Sequence, residues 1–182
     1  VIHAQGLLAG FVSVILKGSF GFKVYLTLLA LYNFKDWKGI KLRVLKYIFD
    51  NCDLVFVEGK NGQRDIEGFV DDSKIRRFNH WCDQKVFFPP QNRPKDKTRI
   101  LFVGRPLKEK GRHIVEGAER LLNDKARYEF RYIENAKYSE LPAHYRWADI
   151  CCVPSLYDEG FSRVVIESAS SGCLVITSDR GS

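Results

Sequence analysis

The sequence predicts an α/β chain built on two parallel sheets, and three observations carry that expectation. Short apolar, β-branched runs alternate with segments of helical period along the 182 residues. The runs are continuously apolar rather than alternating, as strands covered on both faces are. One tract, FFPPQNRPKDKT (87–98), breaks the pattern with three prolines and mixed charge, which continue neither helix nor central strand. Beyond it the alternation restarts. The expected organisation is a first domain over 1–86, a linker over 87–98 and a second domain over 99–182, and a hydrophobic content of 45% is enough to fill their cores.

The elements follow in order. VIHA (1–4) reads as a strand, LLAGFVSVIL (7–16) as a helix or buried segment, and KVYLTLL (23–29) as the second strand. KLRVLKYIFDN (41–51) sets Leu42, Leu45 and Phe49 at helical spacing, LVFV (54–57) is a strand, NGQRDIEGF (61–69) a weak helix and IRRFN (75–79) a strand. After the linker come the strand RILFVG (99–104) and the helix RHIVEGAERLL (112–122), with Ile114, Val115, Ala118, Leu121 and Leu122 on one face. YEFRYI (128–133) is a strand, and SELPAHYRWA (139–148) a helix with Pro142 in its first turn. DICCVPS (149–155) is a strand, FSRVVIESAS (161–170) a helix closed by Gly172, and LVITS (174–178) the last strand.

Composition narrows the function classes. A net charge of +7 and a pI near 9.2 favour anionic partners without choosing among nucleotides, phosphates, nucleic acid and acidic lipid. Aromatic and basic residues interleave in RYEFRYIENAKY and KIRRFNHW, but strand alternation explains the first and no recognition motif accompanies either, so no nucleic-acid partner is expected. Lys41, Arg43 and Lys46 read as a solvated helix face, with peripheral contact to an anionic membrane as the alternative. The two longest apolar stretches fall well short of the roughly 20 residues of a membrane span, Lys17 and Lys23 stand between them, and the flanks are unlike a signal peptide. Five cysteines, an odd number without C-x-x-C spacing, point to thiols in a reducing, cytoplasmic compartment rather than to disulfides or zinc. The absence of methionine and the start inside an apolar run lead to the expectation of an internal fragment, poorly stable alone because truncated parallel sheets expose edges.

Two segments carry residues suited to chemistry. In DEGFSRVVIES (158–168), Glu159 and Gly160 are expected in the loop after a strand and Phe161 at the start of a helix, with Glu167 two turns in. Glycine lets backbone approach a ligand, free N–H groups of a first turn bind anions, and a carboxylate beside them accepts hydrogen bonds from sugar hydroxyls. Complementing the helix dipole, for Glu159, and simple solvation, for Glu167, are the open alternatives. In FVGRPLKEKG (102–111), Gly104 ends a strand, Arg105 and Lys110 supply two cations, and Gly111 opens a helix. Such cations at the carboxyl edge of a parallel sheet suit a diphosphate held without a metal, although on this stretch alone both read more often as solvated charges. The spacing matches neither G-x-G-x-x-G nor the P-loop.

Together these segments resemble the GT-B glycosyltransferases, and within them the retaining family 4, also called glycosyl transferases group 1. Gly104 to Gly111 is similar to that family's G-R-x-x-x-x-K-G segment, EGFSRVVIESASSGCLVITS to its E-x7-E region, and NHWCDQKVFFP (79–89) to its interdomain N-G-V-D-x-x-x-F-x-P through Asp83, Phe87 and Pro89. The resemblance implies two Rossmann-like domains, both incomplete, and sugar transfer from a UDP- or GDP-sugar to a glycan, lipid-linked or small-molecule acceptor, as in polysaccharide biosynthesis. It implies no permanently bound cofactor and no metal. Arg105 and Lys110 would neutralise the leaving diphosphate, Glu159 would hold donor hydroxyls with backbone N–H groups of Phe161 and Ser162, and Glu167 would bind the ribose; Gly104 and Gly160 complete the donor set. Donor binding falls to the second half and acceptor selection to the first, so that the cations and carboxylates are expected to converge on one crevice. Three departures stand out: Leu29 occupies the place of a frequent family histidine, only one strand fits between Leu122 and Leu141, and the chain ends at Gly181 and Ser182, where the family's glycine turn contacts phosphate. A sugar phosphorylase or disaccharide synthase on the same fold, and an inactive nucleotide-sugar binding protein, stay open. His3 reads as structural.

Overall fold

A computed structural model describes residues 1–180, and the chain divides into two units. Of the described residues, the first unit comprises Val1–His80 with Glu159–Phe161, and the second comprises Trp81–Asp158 and residues 162–180. Each unit holds one four-stranded parallel sheet.

In the first unit, β1 (Ile2–Gln5), β2 (Val24–Leu28), β3 (Leu54–Glu58) and β4 (Ile75–Phe78) lie in the order β1-β2-β3-β4. The helices α1 (Leu7–Phe20), α2 (Ile40–Asn51) and α3 (Gly59–Ile66) connect them. Val24, Leu26, Val55, Val57, Leu45, Phe49 and Ile66 form the core around Phe34, whose ring meets Tyr32, Trp37, Phe49 and Phe69 at centroid distances of 5.1 to 6.2 Å. Asp53 ties the start of β3 to its neighbours by accepting hydrogen bonds from the Val24 amide at 2.8 Å and the Lys17 ammonium at 2.7 Å. The stretch 7–16 is a helix rather than a buried segment: Gly10, Ser13 and Val14 face inward while Leu8, Val12, Ile15, Leu16 and Phe20 are exposed. Gly10 sets that close approach, since a Cβ there would lie 2.9 Å from Leu26 Cδ1.

In the second unit, β5 (Thr98–Val103), β6 (Tyr128–Ile133), β7 (Ile150–Val153) and β8 (Leu174–Thr177) lie in the order β6-β5-β7-β8, with α4 (Arg112–Leu121), α5 (Leu141–Trp147) and α6 (Arg163–Ser170) as crossovers. Phe87, Leu101, Val103, Tyr145, Cys151 and Val153 fill the core. Residues 81–98, expected to close the first domain and serve as linker, group with this unit instead. The physical reason is anchorage: Phe87 is fully buried, and Arg93 donates to the carbonyls of Gly172 at 2.6 Å and Ser171 at 2.8 Å. Pro142 does sit in the first turn of α5, and β6 is the one strand among the described residues between Leu122 and Leu141.

The expected apolar face of α4 is corrected by the structure. Val115 is buried, but Ile114, Ala118 and Leu121 are exposed, Leu121 by 82%. Strand β6 is half-buried throughout; its Arg131 lies 3.8 Å from the Trp147 ring, and Arg112 of α4 covers the β6 residue Tyr132 at 5.1 Å. The cysteines are free thiols, and burial pushes Cys52 and Cys173 up to about 11 and Cys151 to about 12, which leaves them unreactive near neutrality. Among the described residues no helix is long and apolar enough to cross a membrane.

Candidate functional site

The loop after β5 is fixed by its own backbone. Gly104 donates its amide to the Ile133 carbonyl at 3.0 Å, and an added Cβ there would come within 3.0 Å of the Phe102 ring. A 3-10 turn over Lys108–Lys110 then leads to Gly111, whose φ of +77° belongs to the left-handed region and whose missing Cβ leaves room for the Pro154 carbonyl oxygen. The Glu109 carbonyl accepts from the Leu156 amide at 2.7 Å, joining this loop to the one after β7. Between them opens a cleft of about 230 Å³, lined by Gly104, Arg105, Lys110, Ser155 and Ser162 over an apolar floor that includes Val103, Ile133 and Val153. Lys110 Nζ sits over the Tyr157 ring at 5.1 Å. Glu134 also lines the cleft, its charge countered by Arg112 at 2.7 Å. The two side chains, Arg105 and Lys110, bring positive charge to the carboxyl edge of the sheet.

Helix α6 begins at Arg163, not at Phe161. Ser162 precedes it in an extended conformation, with φ −93° and ψ 106°, and its side chain makes no capping hydrogen bond. Glu167, on the second turn, is 2% exposed, which corrects the solvated alternative. Its Oε2 accepts from the Tyr145 hydroxyl at 3.2 Å and its Oε1 pairs with Arg163 Nη2 at 3.0 Å. Burial raises the Glu167 carboxyl above its ordinary 4.5, opposed by Arg163 and by the Tyr145 hydrogen bond. Arg163 also donates to the Tyr138 hydroxyl at 3.1 Å and covers that ring at 5.1 Å.

The segment Glu159–Phe161 belongs to the first unit and makes its contacts there. Glu159 is buried, and its carbonyl accepts from Asn61 Nδ2 at 3.0 Å. A Cβ at Gly160 would lie 2.8 Å from Glu58 Oε2. The Phe161 ring meets His80 at 5.8 Å, and His80 Nε2 pairs with Glu58 Oε1. Burial raises the Glu58 carboxyl, His80 draws it down, and nearby Glu159 raises it again.

The predicted residues therefore fall into three groups. Gly104, Arg105, Lys110 and Ser162 line one cleft; Glu167 is buried in the same unit; Glu159, Gly160 and Phe161 lie with the first unit. His3 donates to or accepts from Thr27 Oγ1 at 2.6 Å, a bond between neighbouring strands, and Leu29 stands exposed just beyond β2. Gly181 and Ser182 lie outside the described residues. Sequence reasoning passed over Glu58, Asn61, His80, Tyr145 and Arg163. The spacing of Arg163 from Glu167 was a readable pairing signal on a helix, whereas each of the other four meets its partner only through the fold.

No curated protein matches the sequence. Among solved structures, sucrose-phosphate synthase from Thermosynechococcus elongatus superposes with a TM-score of 0.73 at 25% identity, over 99% of this chain and 56% of that one. Anabaena HepE in complex with UDP gives 0.76 at 14% identity over 99% and 60%, and a UDP-forming α,α-trehalose-phosphate synthase from Burkholderia xenovorans in complex with glucose-6-phosphate gives 0.71 at 12% over 100% and 58%. The last two likenesses concern the fold. The chain spans 56% to 60% of the length of these three structures. The family model for glycosyl transferases group 1 matches residues 85–182, more than half of the sequence. With two parallel-sheet units in the GT-B arrangement of strands and crossovers, the chain belongs to the glycosyl transferases group 1 family.

Proposed function

We propose that the protein transfers a sugar from a nucleoside diphosphate sugar, of the UDP or GDP class, to a glycan, lipid-linked or small-molecule acceptor. The transfer retains the anomeric configuration and needs no metal. The observation that carries this reading is the cleft at the carboxyl edge of β5 and β7, where Arg105 and Lys110 stand beside Gly104, Ser155 and Ser162. Both cations offset the charge that develops on the departing diphosphate; their loop is pinned by Gly104, Gly111 and the Glu109 carbonyl, so little reorganisation accompanies the reaction. Glu159 hydrogen-bonds donor hydroxyls with the backbone of Phe161 and Ser162, and Glu167 takes the nucleotide ribose by exchanging its contact with Arg163. Neither carboxylate acts as a nucleophile.

A second reading, donor binding without transfer, draws support from Leu29, an exposed aliphatic group beyond β2 that has no proton to give or take. One assay separates the two. The whole protein is expected to release nucleoside diphosphate from a sugar nucleotide, and Lys110→Ala to abolish that release; binding without turnover across an acceptor panel would favour the second reading.

A further inference from the structure

We propose that Glu58 and His80 are positioning residues that hold the loop Glu159–Phe161, an inference that rests on Glu159 being the residue that meets the donor sugar. Glu58 is the last residue of β3 and is paired in register with Phe78, the last residue of β4; His80 follows two residues on. Both side chains thus stand at the carboxyl edge of adjacent strands, where they pair. Three successive loop residues are each engaged. The Glu159 carbonyl accepts from Asn61, a Cβ at Gly160 would lie 2.8 Å from the Glu58 carboxylate and require it to shift, and the Phe161 ring lies against His80, which is itself braced edge-on by Phe78 at 5.8 Å.

The chemistry gives each partner a distinct task. Glu58 is buried, and an uncompensated carboxylate there would be costly and would repel Glu159. His80 pairs with that carboxylate and holds it beside Gly160. Without His80, Glu58 swings or pushes, and the hydroxyl-binding carboxylate of Glu159 moves with its loop. A displacement of this kind lowers turnover by about ten- to a hundredfold when it misplaces a group by an ångström.

Two measurements on the whole protein test the proposal. Amide hydrogen exchange over residues 158–162 reads the loop itself: it is expected to speed up in Glu58→Gln and His80→Ala, and to return towards the wild-type rate in His80→Gln, which keeps a hydrogen-bond donor. Steady-state kinetics reads the consequence: kcat falls about tenfold in both variants, while affinity for free UDP or GDP stays unchanged. Gly160→Ala lowers kcat by itself but adds little in a Glu58→Ala background, because the atom that the new methyl would strike is gone. Exchange that is unchanged in both single variants, at an unaltered melting temperature, overturns the positioning role. So does a Gly160→Ala cost that is the same with and without Glu58. If exchange responds as expected but the unmodified protein releases no nucleoside diphosphate, the loop assignment stands and the transferase reading fails.

Discussion

Glu159 and Glu167 stand one motif apart in the sequence, and both are buried, yet their surroundings differ in kind. Glu167 rides on α6, and its partners Tyr145 and Arg163 come from the same unit, Arg163 from the preceding turn of the same helix. Glu159 sits in a loop that groups with the other unit, and its carbonyl and the next two residues rest on Asn61, Glu58 and His80. One carboxylate is held by a regular element, the other by a set of long-range contacts. The difference teaches that a fixed spacing of two acids specifies neither a common environment nor a common means of support.

The largest expected effect falls on the loop side of that comparison. Glu159→Ala should lower kcat by about a hundredfold or more, with affinity for the free nucleoside diphosphate little altered; steady-state kinetics beside a nucleotide titration checks the split. A drop in nucleotide affinity equal to the drop in turnover would move Glu159 from the sugar to the nucleotide.

On the helix side, Glu167→Gln separates stability from function. Because burial raises the Glu167 carboxyl above 4.5 in the folded chain, its contribution to stability is complete below that ordinary value and is lost as pH rises through the folded-state value. At pH 7 the charged form therefore costs stability. The amide variant should melt higher than the parent at pH 7, by about 2 to 4 °C for each kcal/mol recovered, and the two should converge near pH 4. Nucleotide affinity should fall about tenfold as a charge-assisted hydrogen bond to ribose is lost. A melting temperature that drops at pH 7 would show that the pairing with Arg163 outweighs burial.

The smallest effect is expected from Tyr145→Phe, which removes one hydroxyl from a fully buried ring. It should cost about 1 kcal/mol of stability and shift the Glu167 titration further upward, since the Tyr145 hydrogen bond draws that carboxyl down. Carboxyl titration followed by carbon NMR reads the shift directly.

Much of the architecture was legible in the sequence because buried parallel strands announce themselves as unbroken apolar runs. VYLTL, LVFV, RILFV and ICCV all lie within strands. Helical periodicity was a weaker guide. Ile114 and Leu121 fit a 3.6-residue face, yet a helix buries only what its neighbours cover, and α4 is covered mainly at Val115. The prolines of 87–98 signalled a break in regular structure correctly, but could not tell a free linker from a strap that Phe87 and Arg93 fasten to one unit. For the candidate site, glycine and charge patterns located the loops at the carboxyl edge of the second sheet. What they could not supply was the Glu58–His80 pair, because the two residues meet through strand register rather than through any local spacing.

We propose that Arg105 and Lys110 hold a nucleoside diphosphate without help from a metal. Calorimetric titration of the protein with UDP and GDP in the presence of a chelator tests it most directly. Binding is expected to survive the chelator and to weaken by about tenfold or more in each of Arg105→Ala and Lys110→Ala, as the loss of a charge-assisted contact to phosphate requires. Affinity that depends on added divalent cation, or that is unchanged in both variants, would contradict it.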